Sequence, residues 1–223
     1  MNNPVKIANF HYLTQDMPHI SHTSLVEEAC SIGIRWVQLR IKDKPLDFIK
    51  QVALNTLNIC NKFGATLIIN DHVELTKEIG AQGVHLGKSD MNPAKAREIL
   101  GANFIIGGTA NTFEDILNLV DAKVDYIGLG PFRFTSTKKN LSPVIGFEGY
   151  FSIMEKCNQN NITTPIIAIG GIKSADIDAI ISTGVYGIAI SSAINLSINK
   201  TAVISVISKQ LSVNISKNTI ELK

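Results

Sequence analysis

No stretch of the chain approaches the roughly 18 consecutive apolar residues that a membrane-spanning helix needs, so a helical membrane protein is not expected. The opening residues MNNPVKIANF have no long apolar segment behind a basic start, and no signal peptide is expected. Cysteine is scarce. Cys30, Cys60 and Cys157 are scattered, and none forms a CxxC pair. That usage fits a reduced compartment, and the expected location is cytoplasmic. Charge of one sign is also missing. The formal net charge is +2, so bulk charge points to no nucleic-acid or membrane partner. No linker or low-complexity segment divides the chain, which is expected to be one domain over residues 1–223. The stretch after about residue 212 reads as a polar, weakly specified tail.

What the chain does have is apolar sequence, 45% of its 223 residues, enough to bury a large core. Short apolar runs recur at 7–13, 36–40, 66–70, 83–86, 104–107, 126–130, 166–170 and 187–191. Helical spacing lies between most of them, for example at 46–63 and 175–182, and a last helix is expected at 201–211. Alternation of strand and helix implies a parallel sheet. Continuously apolar strands fit a sheet covered on both faces. Eight such units in a chain of this size predict a TIM (β/α)8 barrel. A doubly wound open sheet is the alternative.

In such a barrel, function sits in the loops at the strands' C-terminal ends. The second strand runs into VQLRIKDK, where Gln38, Arg40 and Lys42 alternate and so point one way. Val37, Leu39 and Ile41 take the other face. The third strand ends at Asn70 and Asp71. Asp71 has N-cap spacing to Glu74, so it reads either as a helix cap or as a functional acid. The next strand gives GVHLGKSDMNP. Here Asn92 caps the helix with Pro93 at its first position, which leaves Asp90 free to bind something. His85 reads as a hydrogen-bonded core histidine. The fifth strand ends in Gly107, Gly108 and Thr109, with Thr112 as the next cap. The longest irregular loop follows the sixth strand and carries Thr135, Ser136, Thr137, Lys138 and Lys139. A loop of that length suits binding, and hydroxyls beside lysines suit an anion. Gly170–Gly171 and Ser191–Ser192 end the last two strands, where barrels often bind phosphate. Two acids with oxygen ligands nearby suit Mg2+ held together with substrate phosphates. Cations beside a metal suit a diphosphate, and the separate N–H-lined pocket suits a monophosphate. The mouth therefore reads as a site for two phosphorylated substrates.

These stretches, QLRIK at 38–42, IND at 69–71, GVHLGKSD at 83–90, GPFRFTSTK at 130–138, AIGGI at 168–172 and ISSAI at 190–194, together resemble the thiamine-phosphate synthase family. They occur in the family's order and cover nearly the whole chain. The resemblance implies a TIM barrel that joins 4-amino-5-hydroxymethyl-2-methylpyrimidine diphosphate to a thiazole phosphate, with Mg2+, releasing pyrophosphate. It implies that Gln38, Leu39, Arg40, Ile41, Lys42, Asn70, Thr109 and Lys138 hold the pyrimidine diphosphate. Asp71 and Asp90 would bind Mg2+. Thr135, Ser136, Thr137, Gly171, Ser191 and Ser192 would hold the thiazole phosphate. Arg40, Lys42 and Lys138 would stabilise the departing pyrophosphate.

The chain departs from the family's pattern at three places. Ile41 stands where many relatives have Glu. Thr109 and Asn111 stand where a Ser-x-His is common, and Arg133 and Phe134 stand where Phe-Pro is common. A thiazole tautomerase on the same fold would use a His where Asn111 stands. A non-catalytic regulator that binds thiamine intermediates and a sugar-phosphate epimerase are the other rival readings. The oligomeric state is open, and a homo-oligomer is compatible with the sequence.

Overall fold

Period-two alternation governs every strand. In β2 (Trp36–Leu39) the side chains of Val37 and Leu39 join one buried cluster, and Trp36 joins another. The same split separates Leu67 and Ile69 from Ile68 in β3 (Thr66–Asn70), and Ile166 and Ala168 from Ile167 in β7 (Ile166–Ile169). Strands with two buried faces must be covered on both sides. The fold meets this by closing the sheet and placing helices outside it. The computed structural model describes residues 6–135 and 142–220, and side chains only up to residue 212.

The remaining strands are β1 (Phe10–Leu13), β4 (Gly83–Leu86), β5 (Ile105–Ala110), β6 (Tyr126–Leu129) and β8 (Gly187–Ile190). All eight pair in parallel in sequence order, and β1 closes on β8 through Phe10–Ile188, His11–Ala189 and Tyr12–Ile190. This is the (β/α)8 barrel expected from the strand–helix alternation. The outer helices are α1 (His22–Ile32), α2 (Leu46–Phe63), α3 (Val73–Ile79), α4 (Pro93–Leu100), α5 (Phe113–Asp121), α6 (Gly146–Gln159), α7 (Ile177–Ser182), α8 (Ser192–Asn195) and α9 (Lys200–Ile220).

Several local expectations changed. The first strand begins at Phe10, although Asn9 still accepts a hydrogen bond from the Ile188 N–H at 2.9 Å. The fifth strand runs on to Ala110, because Gly108, Thr109 and Ala110 pair with Ile127, Gly128 and Leu129. The helix expected at 175–182 opens with a 3-10 turn at Ser174–Asp176. The last helix continues past Leu211 to Ile220. Ile204, Ile207 and Leu211 anchor it in the core, and once nucleated a helix extends at little cost per residue.

Inside the barrel the floor is aromatic. His11 stacks on Trp36 at 4.4 Å between ring centroids, and Tyr126 meets both edge-on at 5.0 and 5.8 Å. Rings this large fit only because facing positions lack side chains. A Cβ on Gly107 would lie 2.2 Å from Tyr126 Cζ, and one on Gly128 would lie 3.1 Å from His85 Cε1. Towards the C-terminal end the inner positions turn polar, with Gln38, Asn70, His85 and Thr109 above Trp36, Ile68 and Ile105.

Burial holds the His11 imidazole far below its ordinary range, at about 3; nearby His85 adds to this, and the bond from His11 Nε2 to the Ala8 carbonyl opposes it. The unfolded chain takes up a proton there below about pH 6.5, and the folded chain does not. Stability should therefore fall as pH drops from about 6.5 towards 3. We expect urea unfolding, followed from about pH 7 to about pH 4.5, to show a flatter decline for His11→Phe than for the wild type. Equal slopes would remove His11 as the source.

Candidate functional site

Beyond β2 the chain carries Arg40 and Lys42 to the mouth, and Arg40 is fixed at its backbone, where its N–H donates to Thr14 Oγ1 at 3.0 Å. The mouth opens into a cavity of about 440 Å³ whose lining includes Gln38, Arg40, Lys42, Asn70, Asp71 and Asp90 on one side. Gly170, Gly171, Ser191 and Ser192 line it from β7 and β8. Strand order separates these two groups across the barrel.

The first group is one connected network. Gln38 Nε2 donates to Asn70 Oδ1 at 2.6 Å, Asn70 Nδ2 donates to Asp71 Oδ1, and Lys42 Nζ donates to Asp71 Oδ2. Asp71 is not the cap that its spacing to Glu74 allowed. His72 stands at that position without a side-chain bond, and Asp71 adopts a left-handed φ of 71°. Aspartate tolerates this conformation better than most residues, and here it turns the carboxylate to Lys42 instead of to the helix. Lys42 is therefore ion-paired. Among the described residues, by contrast, no side chain accepts from the Arg40 guanidinium. Burial lowers the pKa of Arg40 and Asp71 supports its charge, and an arginine stays charged in either case.

Asp90 does stand outside the helix cap. Asn92 Oδ1 takes the Ala94 N–H at 2.9 Å, while Asp90 Oδ2 takes the Gly87 N–H at 2.7 Å. Its carboxyl is raised, first by burial and then by its hydrogen bond with Asp71. Burial pushes Asp71 the same way, but bonds from Asp90, Lys42 and Asn70 outweigh it and hold Asp71 below the ordinary range. Opposite shifts mark two carboxyls that are electrostatically coupled. A divalent cation would offset the crowding of their negative charge. Two adjacent carboxylates open to a cavity fit Mg2+, which uses one or two carboxylates together with substrate oxygens. Among the described residues no third acidic, His or Cys side chain joins them.

On the other side, Gly170 and Gly171 have φ of 99° and 69°. Ser191 Oγ donates to Gln15 Oε1 at 2.9 Å and accepts from Asn195 Nδ2 at 3.2 Å. The helix after Ser191 is only four residues long. An anion there would meet local N–H and hydroxyl groups and little macrodipole.

Other expected site residues fall in three classes. Thr109 and Thr135 line the cavity, and Thr109 Oγ1 lies 3.0 Å from His85 Nε2, whose Nδ1 is 3.1 Å from Tyr126 Oη. His85 is thus the hydrogen-bonded core histidine expected, although it also lines the cavity. The side chains of Leu39 and Ile41 do not reach the mouth. They are 2% and 3% exposed and pack in the outer core with the helices, because period two turns them from Arg40 and Lys42. Ser136, Thr137, Lys138 and Lys139 lie outside the described residues.

The structure also gives partners at the mouth to Lys88 and Ser142, which the sequence pattern does not mark, and to Asn111, marked there only as a departure from the family's Ser-x-His. Lys88 lines the cavity and pairs with Asp115 at 2.6 Å. Asn111 donates from Nδ2 to the Gly130 carbonyl and accepts from Ser142 Oγ at 2.8 Å, joining both stems of the long loop. Asn111 lies two residues past Thr109, on the same face. Ser142 carries no local signal.

A family model described as thiamine monophosphate synthase matches residues 12–194. The thiamine-phosphate synthase of Phocaeicola vulgatus is 51% identical over 189 residues, which covers 85% of this chain and 91% of that protein. That of Flavobacterium johnsoniae is 44% identical over 204 residues, covering 92% and 96%. Among solved structures, the thiamine phosphate pyrophosphorylase from Pyrococcus furiosus superposes with a TM-score of 0.80 at 28% identity, covering 92% of this chain and 96% of that one.

The two bonds at Asn111 should couple energetically. Asn111→Ala should destabilise by about 1–3 kcal/mol and Ser142→Ala by about 0.5–1.5 kcal/mol, and the double variant should lose less than their sum. Urea unfolding of the three proteins checks this, and strict additivity would contradict the shared bond.

Proposed function

The chain belongs to the thiamine monophosphate synthase family and has that family's transferase activity, the formation of thiamine phosphate; on that premise we propose how its mouth carries out the reaction. One observation supports the reading most. A cationic, acid-bearing cluster from β2–β4 faces a glycine- and serine-lined turn from β7–β8 across one cavity. The first suits a diphosphate and the second a monophosphate. The substrates are then the pyrimidine diphosphate and the thiazole phosphate, placed side by side.

Gln38, Asn70 and Thr109 form the polar layer against which the pyrimidine ring rests. Arg40 and Lys42 meet the diphosphate, together with Lys138 from the long loop. The bond from the pyrimidine methylene to the diphosphate oxygen breaks, and the ring's amino group delocalises the positive charge that develops. The leaving pyrophosphate gains negative charge at the same moment. Arg40 is positioned to stabilise it without rearrangement, and Lys42 does so once its pairing with Asp71 is shared with the ligand. Fixed charges of this kind, aimed where charge develops, lower the barrier directly. Asp71 and Asp90 would hold Mg2+, which when bound neutralises part of the pyrophosphate charge. The thiazole nitrogen attacks the methylene carbon from the other side of the cavity, its phosphate held by Gly171, Ser191, Ser192 and residues 135–137. No protein nucleophile takes part, and all three cysteines are buried. Holding both reactants in one cavity supplies much of the remaining acceleration.

The tautomerase reading fits less well. Asn111, standing where that chemistry would need an imidazole, is hydrogen-bonded at both ends of its amide and cannot take up a proton. Two small phosphorylated molecules are the proposed partners, and cytoplasm is the proposed location. Among the described residues no helix is long and apolar enough to cross a membrane.

Pyrophosphate release from the two substrates, dependent on Mg2+ and abolished by a chelator, is the expected activity. Arg40→Ala should lose on the order of a hundredfold to a thousandfold in kcat with its melting temperature little changed. Asp90→Ala should lose metal-dependent turnover and remain folded. Folded wild-type protein that releases no pyrophosphate would overturn the reading.

A further inference from the structure

Arg133 is a cation beside the mouth that the proposed mechanism leaves unused. The turn after β7 is held by its carbonyls. Phe132 N–H donates to the Ile169 carbonyl at 2.9 Å, Arg133 N–H to the Gly170 carbonyl at 2.9 Å, and Arg133 Nη1 to the Gly171 carbonyl at 3.3 Å. In a trans peptide the C=O and the N–H of one unit point in opposite directions. With three successive carbonyls turned to the 132–133 segment, the N–H groups of Gly170, Gly171 and Ile172 turn away from it. All three residues line the cavity. Among the described residues none accepts from those N–H groups. Successive N–H groups on one side form an anion-binding concavity.

The clamp is tight. A Cβ on Gly171 would lie 2.8 Å from the Phe134 carbonyl oxygen, and one on Gly170 would lie 2.7 Å from Pro131 Cα. The arginine itself is fixed at two points, Nη1 and Nη2 donating to Asp176 Oδ2 and Oδ1 at 2.6 and 2.9 Å. Asp176 in turn accepts the Lys173 N–H at 2.8 Å. A forked guanidinium can bind the carboxylate and the Gly171 carbonyl together. A lysine, as a single point charge, cannot reproduce both.

We propose that Arg133 is a positioning residue for the monophosphate-bearing substrate: braced on Asp176, it holds the Gly171 carbonyl so that the N–H edge of residues 170–172 faces the phosphate. This rests on the reading of that turn as the monophosphate side, and the test keeps the two claims apart. Wild type, Arg133→Ala, Arg133→Lys and Asp176→Asn are titrated calorimetrically with the thiazole phosphate and with the unphosphorylated thiazole alcohol. Affinity for the phosphate should fall about fivefold to tenfold in Arg133→Ala, the size of effect that one ordinary hydrogen bond, here the one to the Gly171 carbonyl, carries. Affinity for the alcohol should change less than twofold. Arg133→Lys should recover less than half of the loss, and Asp176→Asn should lie between wild type and Arg133→Ala. A merely structural role would weaken phosphate and alcohol alike. That result, or unchanged phosphate affinity, overturns the proposal. Wild type that binds alcohol and phosphate equally removes the monophosphate reading and the proposal with it. Wild type that prefers the phosphate but releases no pyrophosphate sinks the catalytic reading, and the Arg133 comparison stands.

Discussion

Closure of eight parallel strands forces every inward side chain to meet its neighbours near one axis, and the rest of the molecule follows from how that space is filled. The lower part takes the rings of His11, Trp36 and Tyr126, which fit because Gly107 faces Tyr126 without a side chain. The upper part takes Gln38, Asn70, His85 and Thr109, each hydrogen-bonded to a neighbour. An apolar floor under a polar ceiling makes a closed cup. Buried polar groups are costly unless paired, so the ceiling is rigid by necessity, and it is the surface on which a flat heteroaromatic ring would rest.

Charge at the rim is held by pairing. Lys42 is bonded to Asp71, Lys88 to Asp115 and Arg133 to Asp176. Asp71 and Asp90 sit as a pair of acids whose shifts oppose one another. In the proposed reaction an incoming anion and cation would share Lys42 and the two acids with partners already in place, while Arg133 stays braced on Asp176. That costs little reorganisation and is the condition under which electrostatic stabilisation is most effective.

Much of this was legible in the sequence, for reasons that differ residue by residue. The eight runs and their period revealed the barrel. The alternation in QLRIK separated Gln38, Arg40 and Lys42 from Leu39 and Ile41, although family likeness had grouped all five as ligand contacts. Asp90 stood out because Asn92 and Pro93 already start the helix. Asp71 was ambiguous because its spacing to Glu74 imitates a cap, and the left-handed φ that redirects its carboxylate leaves no trace in a hydrophobic pattern. Asn111–Ser142 and Arg133–Asp176 join residues 31 and 43 positions apart. Such loop-to-loop bonds have no periodic signature, so they emerge only once the fold brings the loops together.

The central claim is that one mouth holds two separate anion sites, a diphosphate site on β2–β4 and a monophosphate site on β7–β8. The most direct measurement is a competition titration, in which the thiazole phosphate is added to protein already saturated with pyrophosphate and Mg2+. The account predicts that one equivalent still binds, with affinity close to that seen without pyrophosphate. Competitive displacement of one by the other would mean a single shared site and would contradict it.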